Sequence, residues 1–140
     1  YKNYKTGNNK MKKKICIVQA TYYEEVSRNL YNGAIKVLPN SNLISVPGIF
    51  EIPVAISKLI NKYDAFVALG CVIKGETPHF DFISQSATNA IMSLSIDNKK
   101  PIGNGIITCL NMKQALERAD PLKKNKGSEA AKAVLSILGI

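Results

Sequence analysis

Apolar residues along this chain follow two alternating patterns. Four short runs rich in apolar residues predict β-strands at residues 15–18, 43–46, 64–73 and 101–108. The segments between and after them repeat apolar residues every three or four positions, which predicts helices at residues 25–37, 50–61, 78–96, 111–119 and 127–138. This alternation predicts an α/β fold, a three-layer sandwich in which a four-stranded, mainly parallel sheet carries helices on both faces.

The start of the chain lacks a periodic apolar pattern. We therefore predict a flexible arm rich in lysine and asparagine at residues 1–11 and one α/β domain at residues 12–140. Six lysines in residues 1–14 account for six of the nine net positive charges, which leaves three for the rest of the chain. A basic arm could bind nucleic acid, but a solubilising tail is the favoured interpretation. Residues 15–140 contain no recognised nucleic-acid motif, so we expect no nucleic-acid partner.

Several classes of protein are disfavoured by composition and motif content. The longest apolar runs are too short to span a bilayer and no signal-peptide pattern is present, so we expect a cytoplasmic protein without a membrane partner. Cys16, Cys71 and Cys109 lie far apart without Cys-x-x-Cys spacing, which argues against a disulfide framework and a zinc site. No nucleotide-binding glycine loop or cluster of metal ligands occurs, so we expect no cofactor and no metal.

Candidate chemistry follows the third predicted strand. Ligands of parallel α/β sheets lie outside the carboxyl ends of the strands. Here Thr77 suits a helix N-cap and Pro78 the first helical position, and such a helix start can bind an anion. His79, the only histidine, would stand beside that anion, and an imidazole there could transfer protons. The alternative is an exposed histidine without a function.

The residues at the other strand ends, and the cationic side chains of Arg118 and Lys126, are open to two interpretations each. Tyr22 or Tyr23 could stack on a flat heterocycle or simply close the end of the core. Glu51 could accept hydrogen bonds from ligand hydroxyls or complement a helix start. Arg118 could bind a phosphate through two N–H groups of its planar guanidinium, or it could interact with the partial negative charge at a helix C-terminus. Lys126 is open to the same two interpretations.

Taken together, these segments resemble the lumazine synthase family. The motifs that carry the resemblance occur in the family's order at residues 47–53 (PGIFEIP), 70–82 (GCVIKGETPHFDF), 105–108 (GIIT), 114–119 (QALERA) and 125–127 (NKG). The match covers nearly all of residues 12–140 and implies a flavodoxin-like fold.

The resemblance implies a cofactor-free condensation of two small-molecule substrates in riboflavin biosynthesis. These are 5-amino-6-ribitylaminouracil and 3,4-dihydroxy-2-butanone 4-phosphate, which together give 6,7-dimethyl-8-ribityllumazine, phosphate and water. It also implies a homo-oligomer with sites at subunit interfaces, either a pentamer or a shell of twelve pentamers (a 60-mer), and allows an association with riboflavin synthase. The alternative is a protein of the same fold that binds a flavin or lumazine without turnover.

The resemblance also implies roles for individual residues. The positions that match the family's pyrimidine and ribityl contacts are Tyr22 (ring stacking), Ile49, Phe50 and Glu51 (ribityl chain), Cys71, Val72 and Ile73 (pyrimidine edge) and Lys126. The positions that match its phosphate and proton-transfer groups are Glu76, Thr77, His79 and Arg118, with Arg118 reaching the site from a neighbouring subunit.

Among the positions that depart from the family's pattern, two bear most on substrate binding. Asn104 stands where a phenylalanine from the neighbouring subunit usually packs on the ring. Glu76 replaces a small residue in the phosphate loop, so we expect its carboxylate to turn to solvent or toward Lys74, with its backbone N–H left for phosphate.

Overall fold

A computed structural model describes residues 12–76 and 79–140 of the chain. Within them, four strands form a single sheet: β1 (Ile15–Ala20), β2 (Asn42–Val46), β3 (Ala65–Ile73) and β4 (Ile102–Cys109). Their order is β2-β1-β3-β4, and every neighbouring pair is parallel. The predicted four-stranded sheet is confirmed, and its described pairings are entirely parallel.

The helices also follow the predicted order. They are α1 (Glu24–Val37), α2 (Ile52–Leu59), α3 (Phe80–Asn98), α4 (Met112–Ala119) and α5 (Lys126–Leu138), with a 3₁₀ turn at Ile49–Glu51 that leads into α2. The predicted start of α3 at Pro78 is wrong by two residues, because His79 occupies the N-cap position. A turn through Gly75, whose φ is 85°, precedes this start. Thr77, Pro78 and the arm at residues 1–11 lie outside the described residues, so their predicted roles stay predictions.

Two apolar cores lie on opposite faces of the sheet. Helices α1, α4 and α5 cover one face, and α2 and α3 cover the other. All nine residues of β3 are buried, which explains its continuous apolar run. This confirms the three-layer sandwich. In the described residues, no helix combines the length and apolar character needed to cross a bilayer.

The strand order creates a crevice at the carboxyl ends of the two central strands, β1 and β3. The chain leaves β1 toward α1 on one face, and it leaves β3 toward α3 on the opposite face. Because the connections diverge, the carboxyl ends of β1 and β3 are not covered by one continuous loop. Parallel α/β sheets bind ligands at this point.

Candidate active site

A cavity of about 300 Å³ opens at the carboxyl ends of β1 and β3. Its lining residues come from the segments after β1 and β2, from the carboxyl end of β3 and the turn that follows it, and from the first turn of α3: Tyr22, Tyr23, Gly48, Ile49, Phe50, Glu51, Cys71, Val72, Glu76 and Ile83. Seven residues for which the sequence predicted substrate contacts therefore lie together: Tyr22, Ile49, Phe50, Glu51, Cys71, Val72 and Glu76. They are far apart in sequence, and the parallel sheet brings them to one edge.

Two aromatic rings stand exposed at this cavity. The side chains of Tyr22 and Phe50 are 70% and 64% exposed, although both are large and mainly apolar. Tyr22 packs edge-to-face on Tyr23, with ring centroids 4.9 Å apart and an interplanar angle of 89°. A flat ligand that stacked on Tyr22 would remove apolar surface from water.

The end of β3 offers free backbone groups to this cavity. β1 pairs with β3 only as far as Leu69, whereas β4 continues to pair with β3 as far as Ile73. The β1-facing edge of residues 70–73 thus has no strand partner in the described residues. Its N–H and C=O groups need other hydrogen-bond partners, and the edge of a heterocycle can supply them.

Glu51 is the acidic group on the β2 side of the cavity. It lies in the 3₁₀ turn before α2, and its carboxylate folds back over Gly48. A Cβ added to Gly48 would lie 3.1 Å from Glu51 Oε1, so the glycine leaves room for the carboxylate. A carboxylate in this place can accept hydrogen bonds from ligand hydroxyls.

Cys71 lines the cavity as a neutral thiol. Burial is the main cause that raises its pKa well above the ordinary value, with Cys109 and Glu76 adding to the rise and Arg118 opposing it. A thiol in this state is a poor nucleophile. The cavity therefore does not contain an activated cysteine at this position.

Glu76 lies in the turn between β3 and α3. Its side chain is exposed and lines the cavity, and it makes no ion pair with Lys74, one of the two alternatives that the sequence predicted for it. Its backbone N–H donates to the Ile73 carbonyl at 3.3 Å. That N–H must therefore share or give up this bond to contact a phosphate.

His79 lies beside the main cavity. It is exposed at the N-cap of α3, where its carbonyl oxygen accepts a hydrogen bond from the Ile83 N–H at 2.8 Å. A neighbouring depression of about 630 Å³ is lined by Lys74, Gly75, Glu76, His79, Phe80, Asp81 and Phe82. Glu76 lines both hollows, so His79 stands next to the ring-binding cavity, at the start of a helix.

Arg118 is held outside the cavity of its own chain. It projects from α4 and its Nη1 donates to the Thr108 carbonyl at 2.7 Å and contacts Cys109 Sγ at 3.8 Å. Its guanidinium is thus fixed against the end of β4, one strand beyond the β1–β3 crevice. Arg118 lines a separate hollow of about 320 Å³ with Lys113 and Lys124.

Three other predicted contacts also lie away from this cavity. Asn104 is exposed in the middle of β4, and its Oδ1 accepts from the Ile106 N–H at 3.0 Å. Lys126 begins α5 and pairs with Glu129 at 3.3 Å. The side chain of Ile73 is buried in the core beneath α1, α4 and α5. Asn104, Lys126 and Arg118 thus do not line the cavity of their own chain.

Three lining residues were not predicted as substrate contacts. The sequence suggested Tyr23 only as an alternative to Tyr22 and Gly48 only as part of the motif at residues 47–53, and it assigned no role to Ile83. Gly48 follows a proline at a strand exit, which was a usable signal. Ile83 had no signal, since it depends on where α3 begins. In residues 12–76 and 79–140, no three His, Cys, Asp or Glu side chains are grouped as metal ligands.

Comparisons with known proteins identify the family of this chain. The family model described as 6,7-dimethyl-8-ribityllumazine synthase matches residues 12–140. A protein of that name from Bartonella tribocorum is 44% identical over 139 residues, which cover 93% of this chain and 92% of the relative. One from Bartonella bacilliformis is 43% identical over 134 residues (90% and 88%), and one from Zymomonas mobilis is 43% identical over 133 residues (91% and 95%). The resemblance is thereby confirmed, and the chain belongs to the 6,7-dimethyl-8-ribityllumazine synthase family.

Proposed function

We propose that this chain is a transferase that condenses 5-amino-6-ribitylaminouracil with 3,4-dihydroxy-2-butanone 4-phosphate to form 6,7-dimethyl-8-ribityllumazine. The observation that carries the proposal is the convergence of an exposed aromatic ring, a free strand edge and a carboxylate on one cavity. These three features suit, respectively, the face, the edge and the hydroxylated chain of a ribityl-substituted pyrimidine. His79 and the start of α3 lie next to this cavity.

In this proposal, the pyrimidine substrate is held by three groups. Its ring stacks on Tyr22, its edge bonds to the backbone of residues 70–73, and its ribityl hydroxyls donate to Glu51. This leaves the substrate's amine directed toward the depression beside Glu76 and His79. Fixing two reactants in this way makes a bimolecular reaction effectively unimolecular, which supplies much of the rate of a condensation without a cofactor.

The second substrate occupies the start of α3. Its phosphate is bound by free N–H groups of the first helical turn and by Arg118 of a neighbouring subunit. The amine attacks the ketone carbon, and loss of water gives an imine. Phosphate then leaves by elimination, and ring closure with loss of a second water gives the lumazine. His79 moves protons between these intermediates, since imidazole gives and takes protons near neutral pH.

His79→Ala should lower kcat by about tenfold or more, because a positioned acid–base group contributes at least this much. The measurement is turnover with both substrates, followed by product fluorescence. His79 is exposed, so its loss should leave the thermal unfolding midpoint unchanged. An unchanged kcat would refute the role of His79. Absence of turnover by the wild-type chain would refute the proposed activity and favour a non-catalytic flavin or lumazine binder.

We also propose that the active form is an oligomer in which a neighbour completes each site. Arg118, Asn104 and Lys126 lie away from their own chain's cavity, which supports this. Phe82, Met92 and Ile96 are large apolar residues of α3 that are 67%, 58% and 64% exposed. Apolar surface of this kind on a single chain is typical of an interaction site.

Light scattering should give a mass of at least five chains of 15.3 kDa, about 77 kDa. We propose further that twelve pentamers form a shell, because the turn between Arg118 and Lys126 is short and lacks the insertion that the resemblance associates with isolated pentamers. A monomer would refute the shared site. A pure pentamer would refute only the shell.

A cytoplasmic location and association with riboflavin synthase stay predictions from the sequence and the family resemblance.

A further inference from the structure

Glu76 poses an electrostatic problem for the proposed function. Its carboxylate lies in the turn just before α3, and it lines both the ring cavity and the depression beside His79. A second anion bound at the start of α3 would be repelled by this charge across a short distance. In the described residues, no cation pairs with Glu76. Some other group must hold the carboxylate if a phosphate is to bind well.

Tyr23 presents a buried hydroxyl next to this carboxylate. Its ring packs against the core beneath α1 and makes an edge-to-face contact with Tyr22, so its direction is fixed. The hydroxyl oxygen is shielded from solvent and has no hydrogen-bond partner among the described residues. Leaving such a buried polar atom unpaired is costly, and the atom is available to a partner that enters the cavity.

The two groups also have complementary hydrogen-bonding chemistry. Burial, followed by the nearby Glu76 carboxylate, raises the pKa of Tyr23 to about 12, so the hydroxyl keeps its proton at neutral pH and can donate it. An ionised carboxylate only accepts. Glu76 is exposed and free to rotate, whereas Tyr23 is fixed by packing. A hydrogen bond between them would therefore set the position of Glu76.

We propose that Tyr23 is a positioning residue that donates a hydrogen bond to Glu76 and so directs its carboxylate into the wall of the cavity, away from a phosphate at the start of α3. This inference rests on the proposed function, because the phosphate is that of the four-carbon substrate. Tyr23 then governs the affinity for this substrate and not for the pyrimidine. It acts only through Glu76.

The test is a double-mutant cycle with Tyr23→Phe and Glu76→Gln. Tyr23→Phe should raise the KM for the four-carbon phosphate about five- to tenfold, because it removes a hydrogen bond to a charged group. The KM for the pyrimidine and kcat should stay within about twofold of the wild-type values, since Tyr23 does not contact the reacting atoms. In the Glu76→Gln background, Tyr23→Phe should have no effect on either KM. Tyr31→Phe is the matched control, because Tyr31 packs against the same core but does not line the cavity.

Binding of inorganic phosphate, measured by calorimetry, separates this inference from the proposed activity. Tyr23→Phe should weaken phosphate binding about five- to tenfold when Glu76 is present and not when it is glutamine. If the wild-type chain lacks turnover but Tyr23→Phe weakens phosphate binding only when Glu76 is present, the proposed activity is refuted and the role of Tyr23 is supported. Equal effects of Tyr23→Phe in both backgrounds, equal changes in the two KM values, or no phosphate binding by the wild-type chain would overturn the inference. The thermal unfolding midpoint of Tyr23→Phe should stay close to the wild-type value, because phenylalanine keeps the ring that packs against the core.

Discussion

Arg118→Ala should lower kcat/KM for the four-carbon phosphate substrate by about 100-fold. A charge-assisted bond to a phosphate contributes up to about 3 kcal/mol, which corresponds to roughly two orders of magnitude. Because the phosphate leaves during the reaction, the arginine also stabilises charge that builds up on it. We therefore expect both a higher KM and a lower kcat. Steady-state kinetics with product fluorescence measures both.

The geometry of Arg118 predicts how its variants should differ. One arm of the guanidinium already donates to the Thr108 carbonyl, which leaves the other nitrogens for a ligand. Arg118→Lys keeps the charge, but an ammonium group lacks the planar guanidinium that can bond to the Thr108 carbonyl and to a phosphate at the same time. It should restore only part of the activity. Lys113→Ala is the matched control, since Lys113 lies on the same helix and lines the same hollow. A full rescue by lysine would show that charge alone matters.

Subunit mixing shows which chain's cavity Arg118 serves. His79→Ala and Arg118→Ala chains, which alone should keep no more than about a tenth of the wild-type activity, are co-expressed in equal amounts. If each site takes His79 from one chain and Arg118 from its neighbour, about a quarter of the sites receive both in a head-to-tail ring. We therefore expect about a quarter of the wild-type activity. No recovery would show that each cavity uses its own Arg118.

The fold was predictable because its signals are local. A strand buried on both faces must be apolar at every position, as β3 is, and a helix on a sheet must repeat apolar residues along one stripe. The order of these elements then leaves few topologies, since parallel crossovers are short and right-handed. The residues at the strand exits were predictable for the same reason. Tyr22, Glu51 and Cys71 meet because parallel strands end at one edge.

The remaining features depend on contacts between distant segments. A glycine inside a strand usually weakens it, but Gly103 lies in the regular strand β4, where a Cβ would run into the backbone of Ala130. The glycine lets α5 pack closely on the sheet, and no local pattern reveals this. The bond from Arg118 to Thr108 likewise depends on how α4 lies against β4. The unpaired edge at residues 70–73 had a weak signal, since the predicted third strand was much longer than the first.

Gly127→Ala should destabilise the fold by about 3 kcal/mol, the upper range for adding a methyl group to a well-packed site. In an exposed helix the same change would stabilise by up to about 1 kcal/mol. At Gly127, however, the new Cβ would overlap the carbonyl of Leu30 in the middle of α1. Both partners belong to helix backbones, so α1 and α5 must move apart and open the core between them. We expect the thermal unfolding midpoint to fall by roughly 10 °C.

Gly33→Ala is the matched control for this prediction. Gly33 is the opposite glycine of the same contact between α1 and α5, but the atom that its new Cβ would meet first is the side-chain oxygen of Asn125. A side chain can rotate away where a backbone cannot, and the nearest backbone atom, the Ser128 nitrogen, would lie 3.1 Å from the new Cβ. Gly33→Ala should therefore cost about 1 kcal/mol, well below the cost of Gly127→Ala. Both variants must be measured at one protein concentration, because the assembly adds to the apparent stability. Equal losses for the two variants would show that the close backbone contact at Leu30 is not what Gly127 provides.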